Sequence, residues 1–329
     1  MTVYDDARKF QLDAENLQQQ NIRILLDEYR AAMPSIVRRA EESAREIAEL
    51  RASGATIGEA RQLAAAQAQM VARALREEID KMTIKLLNAI AAGEHQAVVK
   101  GLSDAQSLVQ QGLPGVAISW SAPQFSGVTR AIGALRGKTL ATILHMLSEE
   151  SQLAVRRAIT TGLIAGQSPR VVARDIARRT ELPASKADMI ARTEMLRAYR
   201  EAIRQSYEEN SNIVRGYRRL ASKSVRTCVM CLALDGMESP SNSIMATHPM
   251  DRCTMVPIVD RARFGLKPLS TPETGAEWFD RQPEEIQWRV LGTAGLDKYT
   301  KGATLSDFTR VRESRTWGPS LQRVRLSEV

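Results

Sequence analysis

The sequence predicts a mainly α protein with a small α+β module at its C-terminal end. Three observations predict this. Apolar residues recur at helical spacing through most of the first 210 positions, and Ala, Leu, Arg, Glu and Gln dominate the first half. Hydrophobic residues make up 43% of the chain but aromatics only 5%, a mixture that packs helices through aliphatic seams. Past residue 212 the period changes, and all three cysteines fall within the 26 residues 228–253. A chain of 329 residues has room for two or three domains. We divide it into a long-helix region, 1–127, suited to docking on a partner; a helical region, 128–212; and an α+β module, 213–329, with a knuckle-like β-element and a basic tail.

In the first region Ile22, Leu26, Tyr29, Met33, Ile36, Ala40, Ala44 and Ile47 form one stripe. Pro34 interrupts it and is expected to kink or split the helix. Ser53-Gly54 ends the segment, and Thr56-x-x-Glu59 reads as a capping box for the next helix. That helix carries Ala60, Leu63, Val71, Leu75, Ile79, Met82, Leu86 and Ile90 on one face. Such stripes usually make core or partner-helix seams. Residues 112–127, rich in Gly, Pro and Ser, are loop chemistry. The second region reads as shorter helices. One carries Leu140, Ile143, Leu144 and Leu147; another starts near Ser148 and stops at Gly166; a third starts at Ser168-Pro169; and a fourth runs from Ala187 to about Asn210 after Leu182-Pro183. Arg192 and Glu194 lie close to apolar neighbours there, so buried ion pairs and a solvated face are both open readings. Residues 213–220, Ile-Val-Arg-Gly-Tyr-Arg-Arg-Leu, read as a strand, Leu234-Asp235-Gly236 as a hairpin turn, and 254–259 as a second strand. Pro283 opens and Gly292 closes a late helix. Three of the four tryptophans lie after residue 270, where they are expected to pin a compact tail to the module.

The cysteine run has the spacing C-x2-C-x16-H-x4-C, from Cys228, Cys231, His248 and Cys253. Two thiolates from one tight turn and a His and Cys from a second can close a tetrahedron, and that donor set favours Zn(II) in a structural role. The same residues admit blander readings: free thiols packed in a small core, a dithiol redox pair, or a nucleophile with its base. Asp235, His248 and Cys228 can be drawn as a triad, but a His that holds a metal cannot also act as a general base. Phosphate-binding loops, dinucleotide fingerprints, G-x-S-x-G and H-E-x-x-H are all absent, which leaves no convincing catalytic constellation.

The formal net charge of +8 fits an acidic partner: nucleic acid, a membrane surface or an acidic protein. Arg215, Arg218 and Arg219 on the first strand and Arg310, Arg312, Arg315, Arg323 and Arg325 in the tail are candidate phosphate contacts, against the plain alternative of a solvated tail. An odd number of cysteines gives no disulfide framework. The polar, acidic start does not read as a signal peptide, and no apolar run approaches the roughly 20 residues needed to span a bilayer. A reducing cytoplasm is the expected place of synthesis.

Four features together resemble the phage Mu F-like minor head (head morphogenesis) proteins. They are the segment from Gly162 to Ile176 with Gln167-Ser168-Pro169; Ile190-Ala191-Arg192-Thr193-Glu194 with Ala198; Cys228-x-x-Cys231-x-x-Leu234-Asp235-Gly236 followed by His248-Pro249-x-x-Arg252-Cys253; and Trp278-Phe279 with Gln287, Leu291-Gly292, Tyr299 and Gly302. The resemblance covers about residues 148–310. It implies a low-copy virion protein inside a tailed-phage head near the portal vertex, aiding head assembly and DNA packaging or delivery. The portal protein is the implied partner, and the major capsid or scaffolding protein and DNA are further candidates. No settled catalytic activity is implied. The family's motif often ends His-Pro-x-Cys-Arg-Cys, and here Asp251 stands in the place of the first of those cysteines. Two rival readings remain: a zinc-knuckle nucleic-acid binder acting on the packaged genome, and a toxin-like transferase or hydrolase using the Cys–His cluster.

Overall fold

The computed structural model describes residues 2–17, 19–164 and 167–329. Six helices come first: α1 (Val3–Asn16), α2 (Gln19–Ala52), α3 (Ile57–Gly112), α4 (Phe125–Leu135), α5 (Leu140–Ile164) and α6 (Pro169–Glu209). They are followed by β1 (Val214–Leu220), α7 (Val229–Leu234), β2 (Glu238–Pro240) and β3 (Thr254–Val259). The chain then continues through α8 (Gly275–Asp280), α9 (Glu284–Leu291), α10 (Thr293–Thr300), β4 (Thr309–Ser314) and β5 (Gly318–Arg323). The chain is mainly α with a small antiparallel C-terminal component, as its sequence predicts. No helix among the described residues is long and apolar enough to cross a membrane.

The chain forms two compact units, each from separated stretches: 19–91 with 139–191, and 2–17 with 92–138 and 192–329. The serial division at 127 and 212 does not follow them, because α3 and α6 are long enough to contribute to both. Helix propensity and periodicity are local quantities and carry no record of which turns share a core.

The first unit is a helical assembly. The stripe of α2 is buried, with Ile22, Leu26, Tyr29, Ile36, Ala40 and Ile47 nearly inaccessible, and so is that of α3, with Val71, Leu75, Ile79, Met82, Leu86 and Ile90. The capping box of α3 is present: Glu59 N–H donates to Thr56 Oγ1 at 3.3 Å and Thr56 N–H to Glu59 Oε2 at 2.9 Å. Pro34 does not split α2, nor does Pro183 end a helix; both lie inside continuous helices. A proline in a helix interior costs about 3 kcal/mol, but apolar residues close to each proline are buried, Met33 and Ile36 on either side of Pro34 and Ala184 and Ala187 after Pro183. Burial of the flanking stripe outweighs the break. Ser148 likewise starts no helix: it sits within α5, where its hydroxyl donates to Asp80 Oδ1 at 3.1 Å. The helix stop read at Gly166 lies outside the described residues.

In the second unit the sheet order is β2-β1-β3, all antiparallel, with Tyr217 opposite Ser239 and Pro257. One core gathers Val98, Ala105 and Val109 of α3, Tyr199, Ile203 and Tyr207 of α6, and Tyr217, Cys231, Cys253 and Met255. A second gathers Val229, Leu232, Phe279, Val290, Leu296 and Phe308. α7 therefore faces both cores. Its approach to α8 leaves no room for a side chain: a Cβ on Gly275 would stand 2.2 Å from the Leu232 carbonyl oxygen. The tail is ordered as a hairpin, β4 pairing β5 from Thr309–Arg323 to Ser314–Gly318.

Glu194, fully buried, is ion-paired rather than solvated: Arg136 Nε lies 2.5 Å and Arg197 Nη1 3.1 Å from its carboxylate, and Arg136 also pairs with Glu94. Burial, with Glu194's charge adding to it and Arg136 opposing, pushes the Glu94 carboxyl up from 4.5 to about 7. Between those values the folded chain holds a proton that the unfolded chain has released. Stability is thus present below the unfolded pKa and falls as pH rises through the window. Urea melts at about pH 5 and about pH 8 should show that loss, and Glu94→Gln should reduce it.

Candidate metal centre

The site is assembled from four parts of the second unit. Cys228 caps the N-terminus of α7, its Sγ accepting the Cys231 N–H at 3.5 Å, so the two thiols of the C-x-x-C are brought to one side of the first helical turn. His248, Asp251 and Cys253 lie in the loop that enters β3. β1 supplies Arg219, and α6 supplies Thr193 and Arg200.

His248 Nε2 stands 3.3 Å from both Cys228 Sγ and Cys231 Sγ. Its Nδ1 faces the Pro249 carbonyl at 2.8 Å. A carbonyl can only accept, so Nδ1 carries a proton and donates it, which aims Nε2 at the two sulfurs. Nε2 can then accept from a thiol, carry a second proton or ligate a metal ion. Without a metal, the bond from Cys231 and the neighbouring imidazole pull the Cys228 thiol down to about 4, while Cys228 and Cys253 push the Cys231 thiol up. Burial is the largest single effect on His248 and lowers it, but Cys228, the Asp251 carboxylate and the Pro249 carbonyl together raise it. A metal takes these sulfurs as thiolates, so binding here displaces protons.

The ligand atoms of Cys228, Cys231 and His248 lie within 4.8 Å of one another, as do those of Cys231, Asp251 and Cys253. All four sequence-predicted ligands are therefore in one cluster, but as two triads that share Cys231. Two sulfurs and an imidazole nitrogen on one side of a turn are donors of the kind Zn(II) takes, so the residues present fit that ion.

Asp251 is fully buried beneath the thiols. Its Oδ2 accepts from Arg219 Nη2 at 2.7 Å and its Oδ1 from Cys253 N–H at 2.7 Å, with Arg200 Nη2 3.7 Å away. Burial alone would raise its pKa, but Arg219 and Arg200 hold the carboxyl well below the usual range. Arg200 also donates to the Cys253 carbonyl at 2.8 Å and to the Asp251 carbonyl, and Thr193 Oγ1 accepts the Met250 N–H at 3.1 Å. The ligand loop is thereby fastened to α6 at three backbone points. The sequence offers no local sign of this, because Arg200 and Asp251 are 51 residues apart.

Other expectations are corrected by the geometry. Leu234-Asp235-Gly236 is not a hairpin turn but the exit of α7, with Gly236 at φ +86°. Asp235 is buried with Lys223 Nζ at 2.6 Å and accepts the Ala221 N–H at 2.6 Å. Arg219 reaches no solvent, being directed to Asp251 and to the Ala246 carbonyl at 2.6 Å. Arg323 closes α9 by donating to the carbonyls of Val290 and Leu291. Arg215, Arg218 and Arg310 pair with Asp260, Glu238 and Glu328. Arg312, Arg315 and Arg325 are exposed.

Removing one member of a buried ionic group strands the others. Asp251→Asn should destabilise the fold by about 3–5 kcal/mol in denaturant titration, against about 1 kcal/mol or less for Arg215→Ala at the surface. Equal effects would sink this account of the site.

No curated protein and no solved structure matches the chain. Residues 154–255 do match a family model, the one described as Phage Mu protein F like protein. That stretch runs from α5 through α6, β1, α7 and β2 into β3, and contains every ligand candidate together with Thr193, Arg200 and Arg219. The chain is thus similar to Mu F-like phage proteins over the segment that builds the Cys–His cluster.

Proposed function

We propose that this chain is a structural component of a tailed-phage head, a head morphogenesis protein held near the portal vertex, and not an enzyme. The observation that carries this reading is the coincidence of the Mu F-like segment with the Cys–His cluster and its fastening to α6. In this reading Cys228, Cys231 and His248 hold Zn(II), and Cys253, reached through Cys231, is the fourth ligand candidate. The ion would supply folding free energy and no chemistry. In this reading His248 is committed to the ion and Asp235 stays paired with Lys223, so neither is assigned a catalytic role.

Zinc content of the purified chain tests the metal directly. Cys228→Ser or Cys253→Ser should lose zinc and make residues 213–260 far more sensitive to limited proteolysis than residues 19–91. Equal resistance in both regions would remove the structural role. The virion role is tested by co-expression with the cognate portal and capsid proteins, followed by mass spectrometry of isolated particles. Low-copy incorporation that depends on portal is expected; a protein found free in the lysate and absent from particles overturns it.

A second reading, contact with the packaged DNA, draws on the exposed Arg312, Arg315 and Arg325 and the half-paired Arg215. Affinity that falls steeply with salt is its signature.

A further inference from the structure

A cavity of about 240 Å³ opens beside the cysteine and histidine face of the cluster. The rest of its wall is polar and cationic. Ser222, Ser224 and Thr227, which carry hydroxyls, and Arg226 and Arg252, which carry guanidinium groups, line it. No carboxylate is among its described lining residues. Arg252 Nε lies 3.6 Å from the Glu15 carboxylate, and Glu15 is not among the described lining residues.

The backbone around the cavity is unusual in a specific way. Among the described residues only two non-glycines have left-handed backbones, Lys223 at φ +47° and Met250 at φ +65°. One lies between Ser222 and Ser224, and the other between His248 and Arg252, in the two loops that border this cavity. Such residues cost backbone energy and persist only where their surroundings hold them. Here both are held: Lys223 by its ammonium on buried Asp235 at 2.6 Å and on the Glu273 carbonyl at 3.0 Å, Met250 by its N–H on Thr193. The hydroxyls are also set, with Thr227 Oγ1 accepting the Ser224 N–H at 2.9 Å and lying 3.1 Å from Ser222 Oγ.

From this geometry we infer that the cavity is a binding site for a phosphate group. Two arginines and three hydroxyl-bearing residues lining one concavity suit an oxyanion with several acceptor oxygens, and arginine suits phosphate because its fork binds two oxygens at once. The phosphate belongs either to a nucleic-acid backbone or to a free nucleotide, whose shared chemistry the cavity recognises. The inference uses the same folded module as the proposed function but does not require the metal.

The test uses the full-length protein with its zinc content measured throughout. Inorganic phosphate is followed by phosphorus NMR, and a mononucleotide and a short single-stranded oligonucleotide by calorimetry. Each is repeated with Arg226→Ala/Arg252→Ala, two side chains that bear no part of the buried network. Binding in the native protein, weakened at least about tenfold in the double variant at unchanged zinc content, is the expected result. Tighter binding of the oligonucleotide than of the mononucleotide identifies a nucleic-acid source, and the reverse a nucleotide. Should the double variant lose zinc, Ser222→Ala/Ser224→Ala with Arg226→Gln carries the same comparison. Absence of binding to all three probes, or equal binding by native and variant proteins, overturns the inference. A zinc-free native protein that still binds phosphate through these residues counts against the metal reading and for this one.

Discussion

A carboxylate with no access to water must have its charge met by neighbours, and around Asp251 that requirement organises the second unit. Its two oxygens receive Arg219 from β1 and the N–H of Cys253 at the start of β3, with Arg200 of α6 close by. Sheet, helix and ligand loop are thus tied to one buried anion. Displacing any of them leaves a guanidinium or a carboxylate unpaired in a dry interior, at a cost several times that of a surface pair. The thiols gain from the arrangement, since Arg219 and Arg200 place positive charge beside a group of sulfurs that a metal needs as thiolates. Asp251 meets the cluster both through the two arginines and directly, its Oδ1 lying 3.7 Å from Cys231 Sγ.

The short helix α7 transmits this order to the rest of the C-terminal module. Cys231 looks into the core shared with α3 and α6, while Val229 and Leu232, on its other side, look into the core closed by Phe279 and Phe308. Gly275 lets α8 approach until only backbone separates them. A disturbance at the cysteines is thus felt in two apolar clusters at once, which is why a single ion at this point could matter for the whole module.

The positive balance of the chain is only partly a property of its surface. Arg136, Arg197, Arg200, Arg204 and Arg219 are at least half-buried and matched to Glu194, Glu201 and Asp251 or to backbone carbonyls. What remains outside includes acid-paired arginines on the sheet, exposed ones in the C-terminal segment such as Arg312 and Arg325, and many exposed arginines on the helices, Arg38, Arg61, Arg130 and Arg174 among them. Counting charge from composition therefore overstates what a nucleic acid would meet, since the buried arginines are already matched.

Much was legible in the sequence because it is encoded locally. The stripes of α2 and α3, the Thr56–Glu59 box, the Ser168-Pro169 start, the Pro283 and Gly292 bounds of α9, and the convergence of Cys228, Cys231 and His248 all follow from spacing and from side chains acting on their own backbone. The unbroken courses of α2 and α6 past their prolines did not, because the packing that outweighs a broken helix bond comes from residues distant in sequence. The burial of Arg219, the Lys223–Asp235 pair and the grip of Thr193 and Arg200 on the ligand loop were hidden for the same reason. An arginine reads as surface charge until a buried carboxylate is brought to it, and only tertiary structure brings together groups tens of residues apart and removes the water between them.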